Sequence, residues 1–109
     1  MKMITAIVHK KDAPFVCDAL REAGVAFTKM ASTGGFLSAG NTTLLIGIDD
    51  DRLDETLGII RTHCARRMEP AQMPSMHTSS VHTPLATTAT IPVGGATVFV
   101  SDITHFEKM

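Results

Sequence analysis

Two hydrophobic periods alternate along this chain. Residues 3–8, Met-Ile-Thr-Ala-Ile-Val, form an apolar, partly β-branched run that stops at His9-Lys10-Lys11-Asp12. From Ala13 the period lengthens, and Ala13, Val16, Cys17, Leu20 and Ala23 recur at helical spacing. Asp12 stands where a helix N-cap belongs, Pro14 falls in the first turn, where a missing N–H costs nothing, and Gly24 is the natural stop. Residues 24–30 read as a second strand and residues 44–48 as a third. Asp49-Asp50-Asp51 follow, one as a cap and the others favoured by the helix dipole. Leu53, Leu57, Ile60 and Cys64 then mark a second helix, with Arg61, Arg66 and Arg67 towards its C-terminal end. Residues 89–101, centred on Ala96-Thr97-Val98-Phe99-Val100, read as one last strand, and residues 102–109 as a short helix capped by Asp102.

The order is β-α-β-β-α-β, with strand, aspartate and helix repeated as a weak internal echo. It predicts an α+β, ferredoxin-like protomer: one antiparallel sheet with two helices on one face. The other face has to be covered or wet, and its apolar strands favour covering by further copies of the chain. Residues 66–92 break the pattern. They hold four of the five prolines, Met68, Met73 and Met76, and many Ser and Thr. A loop this long in a small domain is usually functional or disordered. Ordering on ligand or partner binding and a passive insertion both remain open.

Composition narrows the classes. With 109 residues, 44% hydrophobic and 19% charged, residues 1–109 make one globular domain. A domain of this size gains from oligomerisation. A net charge of −1 indicates no broad basic face for nucleic acid. No run reaches the ~18 apolar residues of a membrane span. The apolar start ends at His9 without a small-residue cleavage site, so the expected location is cytoplasmic. Cys17 and Cys64 read as small buried hydrophobes within helices.

The candidate chemistry centres on residues 33–43, Thr-Gly-Gly-Phe-Leu-Ser-Ala-Gly-Asn-Thr-Thr. Glycines admit close backbone approach, Phe36 and Leu37 offer apolar surface to a ring, and Asn41, Thr42 and Thr43 supply donors and acceptors. The mixture suits a phosphate-bearing, base-bearing ligand. A long hairpin loop with Phe36 and Leu37 tucked into the core is the alternative. None of the five histidines (His9, His63, His77, His82, His105) has metal-site spacing, although His77 and His82 with Met73 and Met76 could take a soft metal such as Cu(I). A Gly-Lys-Ser/Thr phosphate loop, a dinucleotide fingerprint and a nucleophile–base pair are missing. The expectation is a receptor rather than an enzyme, with no catalytic residues, no metal site and no cofactor.

These residues carry a resemblance. The opening Met1-Lys2-Met3-Ile4-Thr5-Ala6-Ile7-Val8, the run Thr28-Lys29-Met30-Ala31-Ser32-Thr33-Gly34-Gly35-Phe36-Leu37, then Ala39-Gly40-Asn41-Thr42-Thr43, Gly47, Asp50-Asp51-Arg52 and Val93-Gly94-Gly95-Ala96-Thr97-Val98-Phe99-Val100 resemble the PII-like cyclic di-AMP receptor proteins. The match spans nearly the whole chain apart from residues 66–92. It implies a homotrimer of PII-like protomers whose sheets face a central axis, with ligand sites at the clefts between subunits. Residues 66–92 would correspond to that family's large mobile loop. The family is non-enzymatic and is thought to pass ligand occupancy to protein partners through its loops.

The ligand set the resemblance implies is Thr28, Lys29, Gly35, Phe36, Leu37, Asn41, Gly47 and Phe99. Backbone groups of Gly35, Phe36 and Leu37 would read an adenine edge. Asn41 would serve ribose, phosphate or base, and Thr28 would donate a hydroxyl. Gly47 would leave room, and Phe99 would pack on a base. Family members often carry an arginine two residues before the position of Thr28, where this chain has Ala26, and a basic residue where it has Ser38. Lys29, Lys108 or the long loop are candidates to replace that charge. Two other readings stay open: a PII-like trimer for another adenine nucleotide or small anion, and a metal-responsive scaffold acting through the Met/His loop.

Overall fold

In a computed structural model, which describes residues 1–34, 37–70 and 90–109 (the backbone alone for 31–34 and 37–39), alternation along the first strand sets the layers. Lys2–His9 (β1) turns Ile4, Ala6 and Val8 inward, each fully buried. Met3, Thr5, Ile7 and His9 therefore take the opposite, outer face. Ala13–Glu22 (α1) packs on the inner face through Ala13, Val16, Cys17 and Leu20, the stripe its spacing predicts. Gly24, at φ +72°, ends the helix: its N–H donates to the Arg21 carbonyl at 3.0 Å and the Val25 N–H to the Leu20 carbonyl at 2.9 Å. This Schellman stop needs a left-handed residue, which glycine adopts without strain. Val25 then joins Leu20 in the core.

Thr28–Gly34 (β2) and Leu37–Ile48 (β3) form a long antiparallel hairpin. A short 3-10 turn, Asp50–Arg52, leads into Leu53–His63 (α2). Arg67–Pro70 (β4) and Thr90–Val93 (β5) pair as a separate ribbon, and Ala96–Asp102 (β6) completes the main sheet. The sheet order is β2-β3-β1-β6, antiparallel throughout. Each helix thus links two strands that run parallel with a third between them, the split βαβ arrangement. The fold is the expected α+β, ferredoxin-like sheet with both helices on one face. Ile4, Leu20, Leu44, Ile46 and Ile60 lie at the centre of the core. Each such side chain contributes roughly 1.5–3 kcal/mol by burial.

Several local expectations are corrected. Residues 33–43 are not a loop but mostly strand, because β1 pairs with β3 as far as His9 opposite Asn41 while β2 pairs along its other edge. The second strand starts at Thr28 rather than residue 24, since Gly24 and Val25 are spent on the helix stop. The expected single last strand is two, Thr90–Val93 and Ala96–Asp102, broken where Gly94 and Gly95 take φ +80° and +81°. The ends of the 66–92 segment are paired as the ribbon, and residues 71–89 lie outside the described residues. The tail forms no helix. Asp102 ends β6, and the Ile103 N–H continues the ladder to the Met1 carbonyl. Asp12 stands at the N-cap position of α1 without a side-chain cap bond, because its carboxylate is held by Arg67. Asp49 likewise makes no side-chain cap bond at the turn before α2. Arg66 and Arg67 lie beyond α2, and Cys64 is its C-cap.

Candidate functional site

Strand register decides which candidate residues share a face, since directly opposite residues in an antiparallel pair point the same way. Thr28 lies opposite Leu45, Leu45 opposite Thr5, and Thr5 opposite Phe99. These four make one row across the outer face, from the β2 edge to the β6 edge. Met30, Thr43, Ile7 and Thr97 form the next row, and Asn41 with His9 the one beyond it. Gly47, Met3 and Ser101 lie on the other side of the Thr28 row. Both helices are on the inner face, and on the outer strip Met30 is 43% and Phe99 48% exposed, while Thr43 between them is buried.

The structure therefore places Thr28, Asn41, Gly47 and Phe99 on one face, but not in one compact patch. Thr28 and Phe99 are three strand spacings apart, about 14 Å. Asn41 and Gly47 are six residues apart along β3, about 20 Å. Lys29 is not brought to this face. It lies opposite the buried Leu44, on the helix side. There its charge acts on the Cys17 thiol, which burial nonetheless raises above its ordinary pKa. Gly35 and Phe36 lie outside the described residues. The Leu37 backbone enters β3 opposite Gly34. Ala26 and Lys108 are exposed, Ala26 before β2 and Lys108 beyond β6.

A second cluster was not legible in the sequence, because its members are 55 positions apart. Asp12, only 4% exposed, receives both ends of the Arg67 guanidinium: Nη2 reaches Oδ1 at 2.9 Å and Nη1 reaches Oδ2 at 3.4 Å. Arg67 Nε donates to Glu69 at 2.8 Å, and the Lys11 ammonium lies 3.9 Å from the same carboxylate. The ribbon root is thereby tied to the start of α1. Gly94 closes over this cluster, because a Cβ there would stand 2.7 Å from the Ala65 carbonyl oxygen and 2.7 Å from Arg67 Nη1. Burial, with the Asp12 charge nearby, pushes the Cys64 thiol up to about 12, so it stays a protonated core residue.

The Arg67 hydrogen bond holds the Glu69 carboxyl below its ordinary value, with Lys11 and His9 pulling the same way. A depressed carboxyl contributes stability that is full above the ordinary value of 4.5 and is lost as pH falls through the depressed one. Urea unfolding of the protein and of Glu69→Gln is expected to show the parent more stable at neutral pH. The gap should close as pH falls below the ordinary carboxyl range and through the depressed value. A gap independent of pH would show that Glu69 acts through packing alone.

An apolar groove of about 280 Å3 opens on the helix side between α2 and β6, lined by Leu57, Ile60, Cys64 and Val98 among others. Among the described residues, none of the expected ligand residues lines it. Among the described residues no group of three or more His, Cys, Asp or Glu is placed to hold a metal ion. His77, His82, Met73 and Met76 lie outside them. No helix among the described residues is long and apolar enough to cross a membrane.

Known proteins share this architecture. A crystal structure of a functionally unknown protein from Pediococcus pentosaceus ATCC 25745 superposes with a TM-score of 0.78 at 37% identity, over 99% of this chain and 96% of that one. The nitrogen fixation nifHD region GlnB-like protein 1 of Methanothermococcus thermolithotrophicus is 40% identical over 75 residues, which cover 57% of this chain and 71% of that protein. The family model described as cyclic-di-AMP receptor matches residues 1–109. From the first strand to the tail, this chain belongs to the PII-like cyclic-di-AMP receptor family.

Proposed function

We propose that the protein is a non-enzymatic receptor for cyclic di-AMP, that the ligand sits in clefts between the subunits of a homotrimer, and that occupancy is signalled through loop rearrangement to a protein partner. The observation that carries this reading is the division of the site. Thr28 and Phe99 share the outer face but sit at opposite edges of one sheet, about 14 Å apart. A single chain cannot close both on one ring. A ring of copies sets the β2 edge of one beside the β6 edge of the next and covers the exposed strip at the same time. Gly47 supports the reading as well. Among the described residues its missing Cβ would meet Met1 and Ile103, at 3.7 and 4.0 Å, so these neighbours do not demand glycine there. A ligand or neighbour approaching closely would. The length of the strip suits a ligand with two bases joined through phosphates better than a lone base.

Two measurements test this. Sedimentation equilibrium should give a mass of three chains, whereas a monomer at micromolar concentration would remove the shared cleft. Asn41→Ala should weaken cyclic di-AMP about tenfold, the loss of one hydrogen bond to a charged or polar ligand group. Unchanged affinity would take Asn41 out of the site.

A further inference from the structure

β1 ends on a histidine whose ring is held in one orientation. His9 completes the outward row of Met3, Thr5 and Ile7 and lies directly opposite Asn41, so both side chains leave the outer face together. Opposite residues in such a pair have Cβ atoms about 4.5–5.5 Å apart. The chain then turns towards α1, and the turn fixes His9 twice. The Asp12 N–H donates to its carbonyl at 2.9 Å, and the Lys11 N–H donates to its ring Nδ1 at 3.1 Å. A ring nitrogen that accepts carries no proton, so in the neutral imidazole the proton is on Nε2. Nε2 is therefore a donor on the far side of the ring from the turn, and it makes no hydrogen bond among the described residues. The side chain is half-buried, which with the Lys11 bond restricts its rotation. The Asn41 end of the strip thus presents one aimed N–H donor beside the amide of a residue already assigned to the ligand.

We infer that His9 is a ligand-binding residue of this receptor, donating its Nε2–H to an acceptor on the cyclic dinucleotide beside Asn41. The inference rests on the ligand being the one proposed above. The acceptor is a lone pair, on a phosphate oxygen or on a ring nitrogen of a base. Because the turn orients the ring before the ligand arrives, little side-chain freedom is left to lose on binding.

The test pairs calorimetric titration of the full chain with cyclic di-AMP and proton–nitrogen correlation spectra of its imidazoles. At mildly alkaline pH the free protein should carry the His9 proton on Nε2, and saturation with the ligand should move that resonance. His9→Asn keeps an acceptor for the Lys11 N–H, because an asparagine side chain bonds its own backbone two residues on. Its amide nitrogen stops short of the Nε2 position. This variant should unfold at the parent's thermal midpoint yet bind about tenfold more weakly, the loss of one hydrogen bond to a polar or charged group. His9→Gln, whose amide reaches further, should recover most of the affinity. A phosphorus resonance of the bound ligand that differs between parent and His9→Asn assigns the contact to phosphate, and an unchanged one assigns it to a base. If the parent binds and His9→Asn matches it in affinity, or if the Nε2 resonance stays in place on saturation, the inference falls while the receptor reading stands. If the parent does not bind, both fall.

Discussion

Gly94→Ala is expected to destabilise the protein by about 2–4 kcal/mol, read from urea unfolding. Two effects add at this position. The backbone is left-handed at φ +80°, which costs a residue with a Cβ about 1–2 kcal/mol. The new methyl would also stand 2.7 Å from the Ala65 carbonyl oxygen and from Arg67 Nη1, and 3.3 Å from Asp12 Oδ2. The carbonyl is backbone and cannot swing away, and moving the guanidinium loosens its grip on a buried carboxylate. Gly24→Ala separates the two effects. Gly24 has a similar φ of +72° but nothing within 4 Å of its would-be Cβ, so it should lose only the backbone contribution, about 1–2 kcal/mol. Equal losses at the two glycines would mean that the closure over Arg67 is not tight.

Arg67→Ala should lower the thermal midpoint by roughly 5–10 °C at one fixed protein concentration. The two partners are unequally buried. Asp12 is almost fully buried, with its side chain 5% exposed, whereas that of Arg67 is 38% exposed. Removing the arginine strands a buried carboxylate. Removing the aspartate leaves a guanidinium that keeps Glu69 and reaches water. Asp12→Ala should therefore cost clearly less than Arg67→Ala. The Gly94→Ala and Arg67→Ala losses should also fall short of adding, because both act on one set of contacts. A larger loss for Asp12→Ala would reverse this account of what the cluster does.

The sequence carried the framework wherever period and punctuation agree. The stripe of Ala13, Val16, Cys17 and Leu20, the stop at Gly24 and the inward residues of β1 are local signals, and the structure uses them as such. The extent of β3 was hidden because residues 38–43 are small or polar. They are strand through pairing with β1 and β2, which no local window contains. Asp12 looked like a helix cap since a carboxylate before a helix ordinarily is one. Its partner lies in the ribbon, and propensity says nothing about that contact. The break at Gly94 and Gly95 was readable only in part, as the apolar residues on both sides disguised two strands as one.

The candidate site divides in the same way. The motif residues Thr28, Asn41, Gly47 and Phe99 are visible in the chain, and register then assigns them to one face of the sheet. Lys29 next to Thr28 looked equivalent in sequence, yet period-two alternation sends it to the other side of the sheet.

Calorimetric titration of the purified protein with cyclic di-AMP, run beside ATP, AMP and cyclic di-GMP, tests the central claim most directly. The account predicts saturable binding near one ligand per chain, selective for cyclic di-AMP and micromolar or tighter, equivalent to about −8 kcal/mol or better. No heat of binding at protein concentrations well above the micromolar range, or equal affinity for ATP, would contradict it.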